Sequence, residues 1–321
     1  MSARILALGV ALAALAAGAS AEERWPAKPV QMVVPLSPGT TVDIIARLYA
    51  DRLTPRLGQT VIVQNRPGAG GTIAAQSVAA SAPDGYTILM ANTQHSVNPA
   101  LYANLAYDTL RDFSGIAMVA EAPALVYVNP GLGAKTLAEF VALAKAKPGT
   151  INYGSAGVGT ATHLGGAYFA SQAKIDIVHV PYKVTSDLVS DIVTGRIQAT
   201  FSPIAFMLAQ VREGKLLALA VTSRARVPVL PEVPTVAEAA IPGYESSTWY
   251  GFLAPARTPR AIREQLARNL REISEEREVK EKFAGQGIFP RSIELEDFDT
   301  FIREDVAKLG ALAKAVGAKA N

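Results

Sequence analysis

The chain has 321 residues, no cysteine and only three histidines, His95, His163 and His179. Without cysteine, disulfides, thiol nucleophiles and lipid attachment at a cleavage-site cysteine are excluded. No metal-binding histidine pair, P-loop or serine nucleophile elbow occurs, and the Gly-x-Gly-x-x-Gly pattern fails wherever it begins. A catalytic histidine needs a positioned partner, which the sequence does not display. We therefore expect no catalytic residue, no metal and no cofactor.

The sequence also has no large excess of charge of either sign. It contains 31 Lys and Arg residues and 28 Asp and Glu residues, which gives a net charge of +3. No cluster of basic residues is interleaved with aromatic residues, so nucleic acid is not an expected partner. The slight basicity favours anionic solutes only weakly.

A long apolar run occurs only near the start of the chain. Arg4 precedes the apolar residues 5–17, and Ala-Ser-Ala at 19–21 matches a small-residue cleavage site. We predict that residues 1–21 are a signal peptide and that the exported chain begins at Glu22. No later stretch approaches the roughly 18 apolar residues of a membrane span. The remaining part is long enough for two domains with self-sufficient cores.

Strand and helix signals alternate along most of the chain. The apolar stretch 30–36 predicts a strand, the segment 37–41 predicts a turn, and the following apolar spacing predicts a helix. The same order recurs through residue 221 and predicts a parallel sheet covered by helices in each half. Only helices are expected after Thr258, and they must cover a sheet formed elsewhere, most simply the first.

This order makes the chain cross between two domains, near residues 121–123 and again near 244–247. Domain 1 would comprise residues 22–121 and 246–321, and domain 2 residues 122–245. Two crossings form a hinge with a cleft between two three-layer α/β domains. Ligands of such sheets bind beyond the carboxyl ends of the strands.

Two glycine-containing turns fall at such strand ends. Residues 152–163 read Asn-Tyr-Gly-Ser-Ala-Gly-Val-Gly-Thr-Ala-Thr-His and lead into helical spacing. Unpaired amides at a helix start and the helix dipole favour an anion, and glycines let it approach the backbone. An ordinary tight connection explains the same composition. The similar turn at residues 37–43 strengthens the anion-site interpretation.

Several stretches together resemble the Bug-type solute-binding proteins of tripartite tricarboxylate transporters over the whole exported length. In order, they are Lys28-Pro29-Val30, Val33-Val34-Pro35, Pro38-Gly39 with Asp43, Asn65-Arg66-Pro67-Gly68-Ala69-Gly70-Gly71, Ala82-Pro83-Asp84-Gly85-Tyr86-Thr87, Asn152-Tyr153-Gly154-Ser155-Ala156-Gly157, His179-Val180-Pro181-Tyr182-Lys183, Ala218-Leu219-Ala220-Val221-Thr222-Ser223, Val233-Pro234-Thr235-Val236-Ala237-Glu238, Trp249-Tyr250-Gly251 and Leu253-Ala254-Pro255. Each stretch alone is weak, but their shared order and spacing are specific.

The resemblance implies a type II periplasmic binding protein fold and a monomeric periplasmic receptor that closes on a small carboxylate. It also implies membrane permease subunits as partners, and a di- or tricarboxylate or an aromatic carboxylate as the solute. Carried over by position, the ligand-binding residues are Ser37, Pro38, Gly39, Thr40, Thr41, Asp43, Thr93, Gln94, His95, Ser155, Ala156, Gly157, Thr160 and Ser202.

Three positions depart from the family pattern. Thr40 replaces a usual second glycine, Val184 replaces the glycine after Val-Pro-Tyr-Lys, and Ser202-Pro203 replaces a pair that is often Asp-Asn. The missing acid disfavours a ligand with an amino group, and Val184 would suit a bulkier or aromatic carboxylate. Two other functions stay open: a receptor that feeds a sensor kinase, and an exported enzyme that processes a carboxylate.

Overall fold

The structure, a computed structural model, describes residues 25–182 and 184–319. The predicted signal peptide and Lys183 lie outside the described residues. No helix within the described part of the chain is long and apolar enough to cross a membrane.

The strands and helices alternate as far as β8. The strands are β1 (Val30–Val34), β2 (Val61–Asn65), β3 (Thr87–Asn92), β4 (Phe113–Val128), β5 (Asn152–Ser155), β6 (Val178–Pro181), β7 (Ala199–Pro203), β8 (Leu217–Val221), β9 (Ser247–Pro255) and β10 (Phe289–Glu294). The helices are α1 (Thr41–Leu57), α2 (Thr72–Ala79), α3 (Thr93–Leu101), α4 (Leu137–Ala146), α5 (Ala161–Ala173), α6 (Thr185–Val193), α7 (Ile204–Arg212), α8 (Val236–Ala239), α9 (Arg260–Glu275), α10 (Arg277–Ala284) and α11 (Leu295–Ala315).

The long strand β4 belongs to two sheets. Its first part, residues 113–123, pairs with β9, and β10 pairs along its other edge. Its last part, residues 124–128, pairs with both β7 and β8. The first sheet has the order β2-β1-β3-β9-β4-β10, and the second has the order β8-β4-β7-β5-β6. We call the half of the molecule around the first sheet the first lobe, and the other half the second lobe.

The expected parallel strands are present in each half, but neither sheet is parallel throughout. Strands β1, β2 and β3 are parallel, as are β5, β6 and β7, but β9 is antiparallel to both β3 and β4. The physical reason is that β4 leads from the first lobe to the second while β9 leads back beside it. The expectation of only helices after Thr258 is wrong, because β10 pairs with β4 at the sheet edge.

Alternating side chains along the strands build a core on each face of each sheet. On β1, Met32 and Val34 pack with α1 and α9, whereas Val33 packs on the opposite face with α2 and α11. On β4, Val126 and Leu125 likewise belong to opposite cores. This period of two is that of a strand covered on both sides, so each lobe has three layers.

The two crossing segments lie side by side. Pro123 of β4 is in register with Ser247 of β9. Just before β9, the amide of Ser246 donates to the carbonyl of Thr222, 2.9 Å away. The connection between the lobes is therefore a pair of hydrogen-bonded strands. The domain boundaries given above stay a prediction.

Candidate functional site

The turn before α1 is held by Asp43, which lies inside the first turn of the helix. Its carboxylate accepts hydrogen bonds from the amide of Gly39 at 2.9 Å, from Arg47 Nε at 2.9 Å and from Asn65 Nδ2 at 2.8 Å. Burial raises the pKa of Asp43, but the hydrogen bonds from Arg47, Gly39 and Asn65 outweigh burial and lower the pKa overall. Asp43 is buried, and its oxygens orient the turn.

The rest of this turn is accessible. Ser37, Pro38 and Gly39 are exposed, and Thr40 and Thr41 are half-buried. Gly39 has a φ of 83°, a left-handed conformation that favours glycine. Thr40 occupies the N-cap position of α1 without a capping hydrogen bond from its side chain. This leaves the start of α1 able to receive an acceptor from outside the helix.

The turn between β5 and α5 has the predicted strand-to-helix form, but several of its amides already have partners. The amide of Ala156 donates to Thr162 Oγ1 at 2.9 Å, and the amide of Gly157 donates to Ser155 Oγ at 3.1 Å. Thr160 caps α5 through the amide of His163 at 3.4 Å. An anion bound here would have to replace the side-chain oxygens of Thr162 and Ser155 as hydrogen-bond acceptors. The sequence alone does not reveal these existing hydrogen bonds.

Two of the three histidines stack behind this turn. The rings of His163 and His179 have centroids 3.8 Å apart and an interplanar angle of 20°. His163 Nδ1 accepts from the amide of Gly159 at 3.0 Å, and His179 Nε2 shares a hydrogen bond of 2.6 Å with Ser155 Oγ. Burial lowers the pKa of both rings, that of His179 to about 4, with the neighbouring His163 contributing. Neutral imidazoles therefore hold the turn in place.

The start of α3 brings polar groups of the first lobe toward the second lobe. Asn92 caps the helix by accepting from the amide of Gln94 at 3.2 Å. Thr93 Oγ1 accepts from the amide of Trp249 at 3.0 Å, which ties α3 to the crossing strand β9.

His95 lies deeper, in an aromatic cluster. Its ring stacks on Tyr107 with centroids 5.8 Å apart and meets Phe113 edge-on at 4.9 Å. Its Nε2 has no hydrogen-bond partner within the residues the structure describes. Burial lowers its pKa to about 4. Ser202 is likewise buried, and its hydroxyl shares a hydrogen bond of 2.9 Å with Thr200.

A cavity of about 180 Å³ lies between the lobes. Its walls are the facing sides of three helices, and the two crossing strands pass along it. The lining residues include Thr93, Gln94 and Val97 of α3, Gly159 and Ala161, Thr162, Leu164, Gly165 and Tyr168 of α5, Asp305, Lys308, Leu309 and Leu312 of α11, and Glu121, Ala122, Pro123, Ala124, Ser247, Thr248 and Trp249 of the crossing strands.

Two of the residues carried over by position, Thr93 and Gln94, line this cavity. The turn at 37–41, Asp43, His95, the segment 155–157, Thr160 and Ser202 are not in its lining. Sequence reasoning missed Tyr168, Asp305 and Lys308. Their only signal is helical spacing, 305-308-309-312 on α11, which is also typical of an ordinary core face.

Glu121, Glu245 and Arg291 are charged residues that line the cavity beside the crossing strands. Arg291 Nη1 lies 2.5 Å from a Glu121 oxygen and 3.4 Å from a Glu245 oxygen. Arg224 Nε lies 2.6 Å from the other oxygen of Glu245. Burial lowers the pKa of Arg291, but the two glutamates outweigh it and raise the pKa overall. Arg291 is thus already neutralised by two carboxylates.

Within the described ranges, no group of three or more His, Cys, Asp or Glu side chains is arranged to hold a metal ion. The arrangement therefore offers helix starts, hydroxyls and a partly apolar cavity. Such a site can bind a small anion through hydrogen bonds.

Comparisons with known proteins agree with this geometry. The profile of the tripartite tricarboxylate transporter family receptor matches residues 45–318. Protein BugT from Bordetella pertussis is 34% identical over 317 residues, which cover 98% of this chain and 97% of BugT.

Solved structures give the same result. An R. palustris protein with adipate has a TM-score of 0.77 and 31% identity, over 92% of this chain and 100% of that chain. MatC from Rhodopseudomonas palustris with bound malate has a TM-score of 0.72 and 28% identity, over 90% of this chain and 99% of that chain. The predicted periplasmic binding protein fold and the prediction of a solute receptor that is not an enzyme are confirmed. The chain belongs to the tripartite tricarboxylate transporter receptor family of Bug-type solute-binding proteins.

Proposed function

We propose that this protein captures a small carboxylate between its lobes in the periplasm and delivers it to the membrane permease subunits of a tripartite tricarboxylate transporter. The observation that carries the proposal is the cavity between the lobes, whose lining includes the first residues of α3 and α5. The adipate and malate bound by its relatives support a carboxylate as the solute. Export through cleavage after residue 21 belongs to the same proposal.

The solute carboxylate would bind at the turns before α1 and α5, with Thr93 and Gln94 beside it. At residues 37–41 it would meet the first-turn amides of α1, because Asp43 keeps that turn open. At residues 155–157 and Thr160 it would displace side-chain oxygens from the amides of Ala156 and Gly157. His95 and Ser202 are buried and would not contact the solute directly. They would support the residues that do.

The energy of such a site is sufficient without an arginine. A micromolar receptor needs about −8 kcal/mol. Hydrogen bonds to a charged group contribute about 1.5 to 3 kcal/mol each, so four to six of them, reduced by ordering and desolvation costs, reach that value. Closure of the lobes about β4 and β9 would exclude water and strengthen each bond.

The first test identifies the solute. Protein purified from its periplasm is measured by native mass spectrometry, and the compound released on denaturation is then titrated back by calorimetry. We expect a carboxylate that binds one to one.

The second test places the solute in the site. Ala156 is exposed, so Ala156→Asp should fold normally while adding a negative charge where the carboxylate would bind. We expect affinity to fall at least about 100-fold, because two like charges in contact repel by several kcal/mol. The matched control is Ala142→Asp on the exposed side of α4, which should bind as the wild type does. Equal affinity of the Ala156→Asp variant and the wild type would place the carboxylate elsewhere.

A further inference from the structure

The inner part of the cavity is lined by α11, which the proposed clamp does not use. Leu309 and Leu312 of α11 line it together with Val97 of α3 and Leu164 of α5, and these four side chains belong to one packed apolar cluster. An apolar protein cavity of about 150 Å³ is known to hold benzene. The whole cavity, including its polar part at Thr93 and Gln94, has a volume of about 180 Å³ and therefore fits a solute of roughly six carbon atoms.

The charged residues that line the cavity disfavour a second carboxylate on the solute. Its lining contains three acids, Glu121, Glu245 and Asp305, and two bases, Arg291 and Lys308. Arg291 already contacts both glutamates. Lys308 Nζ lies 4.3 Å from the centroid of the Tyr168 ring, as a cation over an aromatic face. A solute with two carboxylates would bring its second charge close to Asp305.

Asp305 is oriented by the indole of Trp249, with Ser96 as a further polar neighbour. Its Oδ2 accepts from Trp249 Nε1 at 2.7 Å, and Trp249 itself is fixed in the core between Phe298 and Phe301. A carboxylate can accept about four hydrogen bonds, so Asp305 can take a further donor from the solute. Burial raises the pKa of Asp305 above its ordinary value, as expected for a carboxylate away from solvent.

We infer that this cavity is a subsite for the body of the solute. Asp305 would select solutes whose far end is a hydrogen-bond donor and would reject a second carboxylate. This inference rests on the proposed function, in which the first carboxylate is held beside Thr93 and Gln94, the two proposed ligand-binding residues that line the cavity. The ligand class is thus a monocarboxylate of about six carbons whose uncharged body ends in a hydroxyl or a similar donor.

Three probes of equal length separate the possibilities: hexanoate, 6-hydroxyhexanoate and adipate. By calorimetry, we expect 6-hydroxyhexanoate to bind the full-length exported protein about tenfold more tightly than hexanoate, since one buried hydrogen bond to a charged acceptor has that effect. We expect adipate to bind more weakly than hexanoate. Asp305→Asn keeps an acceptor for Trp249 and adds a donor, so it should strengthen adipate binding at least tenfold relative to 6-hydroxyhexanoate.

The matched control is Glu304→Gln, which removes the same charge from an exposed neighbour on α11. It should leave the order of the three probe affinities unchanged. Lys308→Met tests the competing explanation, in which Lys308 pairs with a second carboxylate. Adipate binding as tightly as 6-hydroxyhexanoate in the wild type, and losing that affinity in Lys308→Met, would overturn the inference. So would failure of all three probes while other carboxylates bind, and either result leaves the proposed function intact. Failure of every carboxylate tested would overturn both.

Discussion

Leu101 of the first lobe lies directly against Gly159 of the second. A Cβ atom built on Gly159 would lie only 2.6 Å from Leu101 Cδ1, closer than side chains tolerate. The φ of Gly159 is also positive, at 77°. A glycine at this position therefore permits both the turn before α5 and the close approach of α3.

We predict that Gly159→Ala weakens solute binding about tenfold or more. The methyl group would push Leu101 away, and the left-handed backbone would cost on the order of 1 to 3 kcal/mol for a non-glycine residue. The measurement is calorimetry with the copurified solute. Adding Leu101→Ala to Gly159→Ala removes the clash but not the backbone cost, so the double variant should recover part of the affinity. An unchanged dissociation constant for Gly159→Ala would show that this contact does not matter for binding.

The C-terminal helix α11 joins the two lobes through a small apolar cluster. Leu309 and Leu312 pack with Val97 and Leu101 of α3 and with Leu164 of α5. Further toward its start, α11 carries Ile302, which packs in the core of the first lobe. The first part of α11 therefore stabilises the first lobe, and its last part stabilises the contact between the two lobes.

This division predicts different effects for two truncations. Leu312→Ala and Ile302→Ala should each lower the free energy of unfolding by about 2 to 5 kcal/mol, because both create a cavity. Only Leu312→Ala should also change solute affinity and the radius of gyration measured by small-angle scattering, because only Leu312 contacts both lobes. Equal effects of the two variants on affinity would contradict a joining role for the end of α11.

Much of the local structure could be predicted from the sequence. Thr235 and Glu238 have the three-residue spacing of a capping box, and both of its hydrogen bonds are present. Thr160 caps a helix after a glycine-containing turn. These features depend on neighbours within a few residues, so they can be read directly. The strand β10 could not be predicted from its local sequence, because its pairing partner β4 lies about 170 residues earlier in the chain.

The site was harder to predict than the fold for the same reason. The family resemblance gives positions such as Thr93 and Gln94, which do line the cavity. It cannot show that Thr162 and Ser155 already satisfy the amides of the second turn, since those contacts depend on side-chain geometry. Asp305 looks like an ordinary polar position in a long helix until the fold places it beside Trp249.

Asp43 supports a prediction about the first turn. We expect Asp43→Asn to destabilise the protein by about 1 to 3 kcal/mol, since it removes the charge that Arg47 pairs with and replaces one of the two acceptor oxygens with a donor, which would face either Asn65 or Gly39 and Arg47. Solute affinity should fall as well, because residues 37–40 lose their anchor. Urea unfolding and calorimetry measure the two effects. Asp51→Asn, on the exposed side of the same helix, is the control and should change neither.

The ionised form of Asp43 also sets a pH dependence. Its folded pKa lies below its unfolded value, so its contribution is present at pH values above the unfolded pKa. That contribution is lost as pH falls through the folded pKa. In Asp43→Asn, the acid end of the stability profile should therefore be flatter than in the wild type. Parallel profiles below pH 4 would contradict this assignment.

His95 predicts a second and separate pH effect. Its folded pKa of about 4 lies below the ordinary value of 6.5 because the ring is buried. Between these values the unfolded chain binds a proton that the folded protein does not, so stability falls as pH drops from about 6.5 toward 4. The slope is about 1.4 kcal/mol per pH unit for one histidine. His179 and His163, whose pKa values are also lowered, add to it.

The test is His95→Phe, which keeps an aromatic ring against Tyr107 and Phe113 and removes a nitrogen that has no partner among the described residues. Between pH 7 and pH 5 this variant should lose about 2 kcal/mol less stability than the wild type, measured by denaturant unfolding at each pH. Tyr107→Phe changes the same cluster without removing a histidine, so it should keep the wild-type slope. If His95→Phe keeps that slope too, His95 takes up a proton in the folded protein, and its burial in the aromatic cluster does not hold it neutral.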